Sequence, residues 1–400
     1  MTANTNKIWS NWSGSLKFSP GETIEPSTED ELQSAVKNAV KEGKKIRVVG
    51  AGHSSPPLVY TRELFISLKN FTKTERGNNK DNSAWVGAGL TVKESGKSLL
   101  NKYRLSLHNT GDVDVQTLAG AISTGTHGTG IKLKNLSSML VGCRMITAQG
   151  ELIEYSEEEH GKEFFDALRL SLGTFGIMTS MKLKLLPAFK LERKEWCTHT
   201  NDCLAHLDEL VYGNRNFDFY WYPRNDLVKL RTLNEPGKGV SDMPYASCIY
   251  KAEGWAIDVL PRERALKFDE MEYALPFEAG PECFREVRKI IKEKFRKDVA
   301  WRVLYRTIAA DDFLVSPFSG RDSVTISLHQ NAGLPFWHYF KAIEPVFLHF
   351  GGRPHWGKKH TLQAPQLRKM YQGWDTFNAL RKKMDPHDVL INPYLKNLLG

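Results

Sequence analysis

The sequence predicts an α+β protein made of two successive units, and three observations carry that expectation. Helix and strand signals alternate up to Pro187. Two glycine-rich segments, at residues 50–55 and 108–130, punctuate that first unit. After Pro187 strand-like stretches alternate with amphipathic helices, as in a mixed sheet flanked by helices. Boundaries are expected at 1–187 and 188–400, within the range of two to three domains that 400 residues suggests.

The first unit opens with a helix whose ends are written in the sequence. Ser27 and Thr28 precede Asp30 and Glu31, which is a capping signal. Leu32, Ala35, Val36, Ala39 and Val40 then repeat at helical spacing, and Gly43 closes the helix. Lys45 to Val49 reads as a short buried strand, followed at once by Gly50-Ala51-Gly52-His53-Ser54-Ser55. Bare backbone N–H groups in such a loop can approach an anion, although a tight turn uses the same residues. Short segments follow at 64–68 and 84–89, with a helix over about 91–103. After the second glycine-rich segment come strands at 139–147 and 151–155, a helix near 164–172 and an alternating strand within 173–185.

In the second unit, strand-like pieces lie at 218–222, 301–305 and 323–329. Helices are expected near 281–295, 334–349 and 366–383. No repeat, low-complexity tract or charged tail interrupts the chain.

Composition excludes several classes. The net charge of +9 is scattered, and the densest basic runs, 41–47 and 288–297, carry acids among them, so no nucleic-acid partner is expected. No apolar stretch approaches the roughly 18–20 residues of a membrane span, and the polar N-terminus shows no secretory signal. Five cysteines (143, 197, 203, 248 and 283) form no Cys-x-x-Cys, which reads as reduced thiols in a cytoplasmic protein. Asn11-Trp12-Ser13 fits a glycosylation sequon but has no meaning without a signal.

Neither glycine segment is a G-x-G-x-x-G opening a helix, so a nicotinamide-type site is disfavoured. Walker A, H-E-x-x-H and G-x-S-x-G motifs are missing, and no metal is expected. Two glycine-rich segments about sixty residues apart can both lend donors to a dinucleotide pyrophosphate. The residues alone thus point to a cofactor-binding unit followed by a substrate unit.

The glycine-loop histidine, Ser-Thr-Gly-Thr-His-Gly-Thr-Gly at 123–130, Gly-Thr-Phe-Gly-Ile-Met-Thr at 173–179 and His-Trp-Gly-Lys at 355–358 together resemble the sugar-acid lactone and alditol oxidases. These are vanillyl-alcohol-oxidase-type flavoproteins, and the similarity runs over nearly the whole chain. It implies an N-terminal FAD-binding domain of the PCMH type and a C-terminal cap domain over the flavin. It also implies a covalent link from His53 to the flavin 8α-methyl, with Val49, Gly50, Ala51, Gly52, Ser54 and Ser55 around the cofactor. Thr117, Gly120, Thr124, Gly125, Thr126 and His127 match positions near the flavin and phosphates. Ile177 matches an adenine-side contact, and His355 a flavin contact. Gly111 falls where a small residue admits O₂ to the flavin, and Asp112 where alditol oxidase has a serine touching flavin and substrate. Arg306 and Lys358 match the cationic pair at the substrate, which stabilises the negative charge developing on its oxygen.

One departure stands out. Where the family has Glu-x-Arg, this chain reads Leu304-Tyr305-Arg306, so the carboxylate that binds substrate hydroxyls and orients the arginine is gone. Asp112 is expected to supply charge from the opposite wall, and His329, in place of a threonine, to act as general base or hydroxyl contact. The implied activity is FAD-dependent oxidation of a CH–OH group in a sugar lactone, alditol or related alcohol, with O₂ giving H₂O₂. Leu304 leaves open a tailoring enzyme acting on a secondary metabolite, and the same fold also serves dehydrogenases using a quinone or cytochrome. A monomer or homodimer is expected.

Overall fold

Thr28 caps helix Glu29–Lys41 by accepting from the Glu31 N–H, and the helix buries Leu32, Val36 and Ala39. The chain then enters strand Ile46–Val49, which pairs in parallel with Leu64–Ser67. Strand Glu22–Ile24 joins the other side of Leu64–Ser67 and completes a three-stranded parallel sheet. The structure is a computed structural model and describes residues 8–77, 81–240, 242–260 and 266–400.

A second sheet of five antiparallel strands follows, in the order Leu152–Ser156, Leu140–Ile146, Ile177–Lys184, Ser83–Gly87 and Thr74–Arg76. Helix Val92–Tyr103 lies beside it, its start fixed by a capping box between Thr91 and Glu94. The second glycine-rich segment contains a short helix, Leu118–Ser123, that the sequence does not announce. The helix expected over 164–172 instead spans Lys162–Leu168.

Beyond Lys190 the chain builds an eight-stranded sheet in the order 247–255, 190–199, 227–234, 216–222, 303–308, 323–331, 268–276 and 353–354. Every described pairing in it is antiparallel, where the sequence suggested a mixed sheet. Alternation along these strands explains the layout of the molecule. Met271, Tyr273, Val303, Tyr305, Ile326, Leu328, Phe219 and Trp221 leave one face and share a core with Phe284 and Val287 of helix Gly280–Ile290 and Phe340 and Ile343 of helix Trp337–His349. Glu270, Glu272, Leu304, Arg306, Ser327, His329, Tyr220 and Arg231 alternate with them and leave the opposite face, toward the first unit. That second face is buried and polar, and the site is built on it.

The single helix expected over 366–383 is two, Ala364–Arg368 and Trp374–Met384. Gly373 lies between them, and a Cβ there would meet the Leu314 backbone at 2.8 Å. The chain then returns to the first unit. Ile46 N–H donates to Val389 O at 2.8 Å, and Asn392 Nδ2 donates to the carbonyls of Pro57, Leu58 and Tyr60. No described helix is long and apolar enough to cross a membrane.

Candidate active site

Two cavities meet at His53. The first is an open groove of about 990 Å³ between the two sheets of the first unit, lined by the main chain of both glycine-rich segments. Val49, Gly50, Ala51, Gly52, His53, Ser54, Thr117, Gly120, Thr124 and Ile177 all line it. The two loops touch. A Cβ on Gly50 would sit 1.9 Å from Thr117 Oγ1. No described acidic residue lines this groove, and its one charged side chain, Arg47, is committed to the carbonyls of Leu172, Gly173 and Leu390. An elongated anionic dinucleotide fits such a channel, where the main-chain N–H groups of the glycine-rich segments would meet its diphosphate.

The second cavity, about 720 Å³, opens between that groove and the polar face of the large sheet. His53, Ser54, Gln116 and Thr124 line both spaces, so a ligand in the groove presents one end to the second cavity. Ser55, Thr126, His127, Arg306, His329, His355, Lys358 and Asp112 line it as well, with Glu270 and Glu272 among them. Gly125 lies behind the wall at φ 72°, turned toward Leu170. Gly111 sits in a smaller adjoining cleft, and a Cβ on it would come within 2.9 Å of Thr126 Cγ2.

His53 is roofed by the N-terminal hairpin. Trp12 N–H donates to Gly52 O at 2.8 Å, and the Trp12 ring stacks on the His53 imidazole at 4.6 Å. Burial, and then Lys358, pulls the His53 pKa down to about 4, which leaves the ring neutral with a free lone pair.

The charges form two sets. Arg306 Nη2 donates to Glu272 Oε1 at 2.5 Å, and His127 Nε2 reaches the same oxygen at 2.9 Å. Against the desolvation of burial, Arg306 and His127 hold Glu272 well below the usual carboxylate range. Lys358 Nζ donates to Glu270 Oε2 at 2.5 Å, and His329 Nε2 stands 3.5 Å from Glu270 Oε1. His355 Nδ1 accepts from the Gly357 N–H at 3.0 Å, so a neutral ring carries its proton on Nε2. Burial takes that histidine down to about 3. Ligand atoms of His127, Glu272 and His355 lie within 4.8 Å of one another. Arg306 already holds that carboxylate, so a divalent cation there would press on a guanidinium, and the cluster reads as an ion-pair network.

Two expectations about charge change here. Asp112 is no unopposed charge on the far wall, because Arg231 donates to its Oδ1 at 2.8 Å and Tyr220 Oη binds it at 2.8 Å. Arg231 is in turn gripped by both oxygens of Asp218. Nor is Arg306 left unoriented by Leu304, because Glu272 anchors it from another strand. Sequence reasoning missed Glu270, Glu272, Gln116 and Trp12. The available signal was the i, i+2 pair of glutamates in the run Phe-Asp-Glu-Met-Glu-Tyr-Ala-Leu-Pro, since two carboxylates on one buried face need cationic partners.

Residues 20–156 match the model of an FAD binding domain, and residues 243–398 that of D-arabinono-1,4-lactone oxidase. The chain is 32% identical over 433 residues to L-gulono-1,4-lactone dehydrogenase of Mycobacterium tuberculosis strain H37Rv, covering 98% of this chain and 99% of the relative. It belongs to the FAD-dependent sugar-lactone oxidase and dehydrogenase family. L-gulonolactone oxidase of Bos taurus, another member, is 26% identical over 97% of each chain. The fold of this family member is that of cholesterol oxidase from B. sterolicum, with a TM-score of 0.85, 15% identity and coverage of 100% of this chain and 97% of the other. The protein is therefore an FAD-dependent oxidoreductase.

Proposed function

We propose that this enzyme oxidises a CH–OH group of a sugar lactone, alditol or related small alcohol in the second cavity, passing electrons to O₂ with release of H₂O₂. Bound FAD supplies the hydride acceptor. The observation that carries the proposal is the pairing of Arg306 and Lys358 on one wall of a cavity that opens into the dinucleotide groove. Each cation is fixed by its own carboxylate, and both are preorganised to stabilise negative charge on a substrate oxygen. Val49 to Ser55, Thr117, Gly120, Thr124 and Ile177 would hold FAD along the groove. His53 would be its covalent anchor, supported by a neutral ring held under Trp12 where the two cavities join.

Gly111 supports oxygen as acceptor, by the resemblance of its position to one that admits O₂. The 32% identical relative is named a dehydrogenase, which favours a non-oxygen acceptor as the second reading. Residues 1–187 and 188–400 are proposed as cofactor and substrate domains of a cytoplasmic monomer or homodimer.

The test is to denature the purified protein in acid, filter it, and score a panel of lactones and polyols for H₂O₂ and for dye reduction. Yellow colour retained on the chain supports the His53 link, and flavin in the filtrate refutes it. Peroxide from a panel member supports the oxidase, whereas dye reduction without peroxide selects the dehydrogenase. A protein whose flavin no alcohol reduces overturns the proposal.

A further inference from the structure

We propose that His329 is the proton acceptor of the reaction and Glu270 its positioning partner, with Lys358 holding Glu270 in place. The proposal rests on the function given above, and it assigns the group that function leaves unassigned.

His329 Nδ1 lies 3.1 Å from the Arg302 carbonyl oxygen. A carbonyl only accepts, so Nδ1 carries the proton and the lone pair of a neutral ring is on Nε2. That nitrogen belongs to a residue lining the substrate cavity, directly across the sheet register from Glu270. With Glu270 Oε1 3.5 Å away, an N–H formed on Nε2 meets a carboxylate as the imidazolium appears. Lys358 occupies the other oxygen of that carboxylate, so Glu270 stays ionised and aimed. An acceptor oriented by one group and charge-stabilised by another follows general base logic.

The other titratable groups of the cavity are committed. Asp112 is bound by Arg231 and Tyr220, and Arg306 and His127 both bind Glu272 Oε1 and hold that carboxylate well below its usual range, which makes it a poor proton acceptor. Both nitrogens of His127 are engaged at 2.9 Å, by Gly128 O and Glu272 Oε1, closer than the 3.5 Å that separates His329 Nε2 from Glu270, and His355 Nδ1 is used by the Gly357 N–H. Around His329, Glu270 and Asp112 favour the charged ring while Arg302 and Lys358 oppose it. Burial outweighs all of them and brings the pKa to about 4, so the ring is in its accepting form at neutral pH. Phe268 and Trp301 close the remaining sides with aromatic edges at 4.8 and 5.8 Å between centroids.

In the step itself the substrate O–H bond breaks and an N–H bond forms at Nε2. The carbinol carbon loses its hydrogen with the bonding electron pair to FAD and becomes a carbonyl. The proton later leaves His329 for solvent.

The test uses the holoenzyme. Long-range ¹H–¹⁵N spectra of ¹⁵N-histidine-labelled protein, with His329→Gln for assignment, should show a neutral ring protonated at Nδ1. An Nε2–H tautomer, or a charged ring at pH 7, overturns the proposal without any substrate. Anaerobic flavin reduction by the alcohol found in the panel should slow roughly 10²–10⁴-fold in His329→Gln. The same variant should lose the acid limb of the pH profile, with flavin content unchanged. Glu270→Gln should move that limb to lower pH, since removing the anion disfavours the imidazolium, and added imidazole should partly rescue His329→Ala. Wild-type rate and profile in His329→Gln overturn the proposal alone. Failure of every alcohol to reduce wild-type flavin instead overturns the function above, and the tautomer then decides this one.

Discussion

Glu270 and Glu272 leave the same face of strand Phe268–Pro276 and divide two cations of the second cavity between them, Glu270 taking Lys358 and Glu272 taking Arg306. Strand Ser323–Asn331 separates them from Leu304, whose Cα is paired with Ser327, itself opposite Glu272. A carboxylate two strands away thus does for Arg306 what a neighbour on its own strand would otherwise do.

Removing that carboxylate leaves a guanidinium buried without its counter-ion. Glu272→Ala should lower stability by about 3–5 kcal/mol, the usual result of breaking one side of a buried pair. Glu272→Gln, which still accepts a hydrogen bond, should lose less. Thermal unfolding of the holoprotein measures both, and an unchanged midpoint in the alanine variant would contradict the assigned role.

Leu304→Glu should turn the cavity toward more hydroxylated substrates. Leu304 is buried on the cavity wall, and a carboxylate there adds a charged acceptor for sugar hydroxyls at a position where the present side chain offers none. A charged hydrogen bond of about 1.5–3 kcal/mol corresponds to a change of roughly tenfold or more in the kcat/KM ratio of polyol to less polar alcohol. A ratio equal to that of the wild type would show that residue 304 does not set preference.

Gly50→Ala should empty the groove. Its methyl would land 1.9 Å from Thr117 Oγ1, so the two loops must part. Flavin absorbance per chain is the readout. Combining Gly50→Ala with Thr117→Ala removes the clashing oxygen and should restore part of the flavin. If the single variant binds FAD normally, the contact between the loops does not shape the groove.

Acid stability offers a test away from the site. Asp226 receives Arg288, Lys292 and Trp221 Nε1. Although burial opposes it, the Arg288 and Lys292 bonds hold the carboxyl far below its usual range. A depressed folded-state pKa adds stability above the unfolded value of about 4, and that stability is lost as pH falls below it. Asp226→Asn should therefore lower the melting temperature at pH 7, with the gap to wild type narrowing below about pH 4. The residue sits at φ 60°, which asparagine also tolerates, so the substitution isolates charge. A gap constant with pH would rule the ion pairs out as its source.

Much of the first unit is legible because its signals are local. The cap at Thr28, the apolar spacing of helix Glu29–Lys41 and the glycines after Val49 each lie within a few residues of what they determine. The strand at 268–276 was not legible for the opposite reason. It is buried on both faces, so Phe-Asp-Glu-Met-Glu-Tyr-Ala-Leu-Pro shows no polar-out alternation, and its glutamates find partners 34 and 88 residues away. Arg231, likewise, binds an aspartate 119 residues distant. The break at Gly373 was hidden because helical spacing continues through it, and only the approach of Leu314 explains the interruption.

The segment from Asp385 to Asn392 has a consequence for how the protein is made. Val389 and Leu390 hold Ile46 and Arg47, the strand that leads into the FAD groove, and Asn392 ties down the loop at 57–60. The cofactor channel near the start of the chain is thus finished by residues translated more than three hundred positions later. The groove therefore reaches its full bracing only once this last strap has emerged from the ribosome and closed on it.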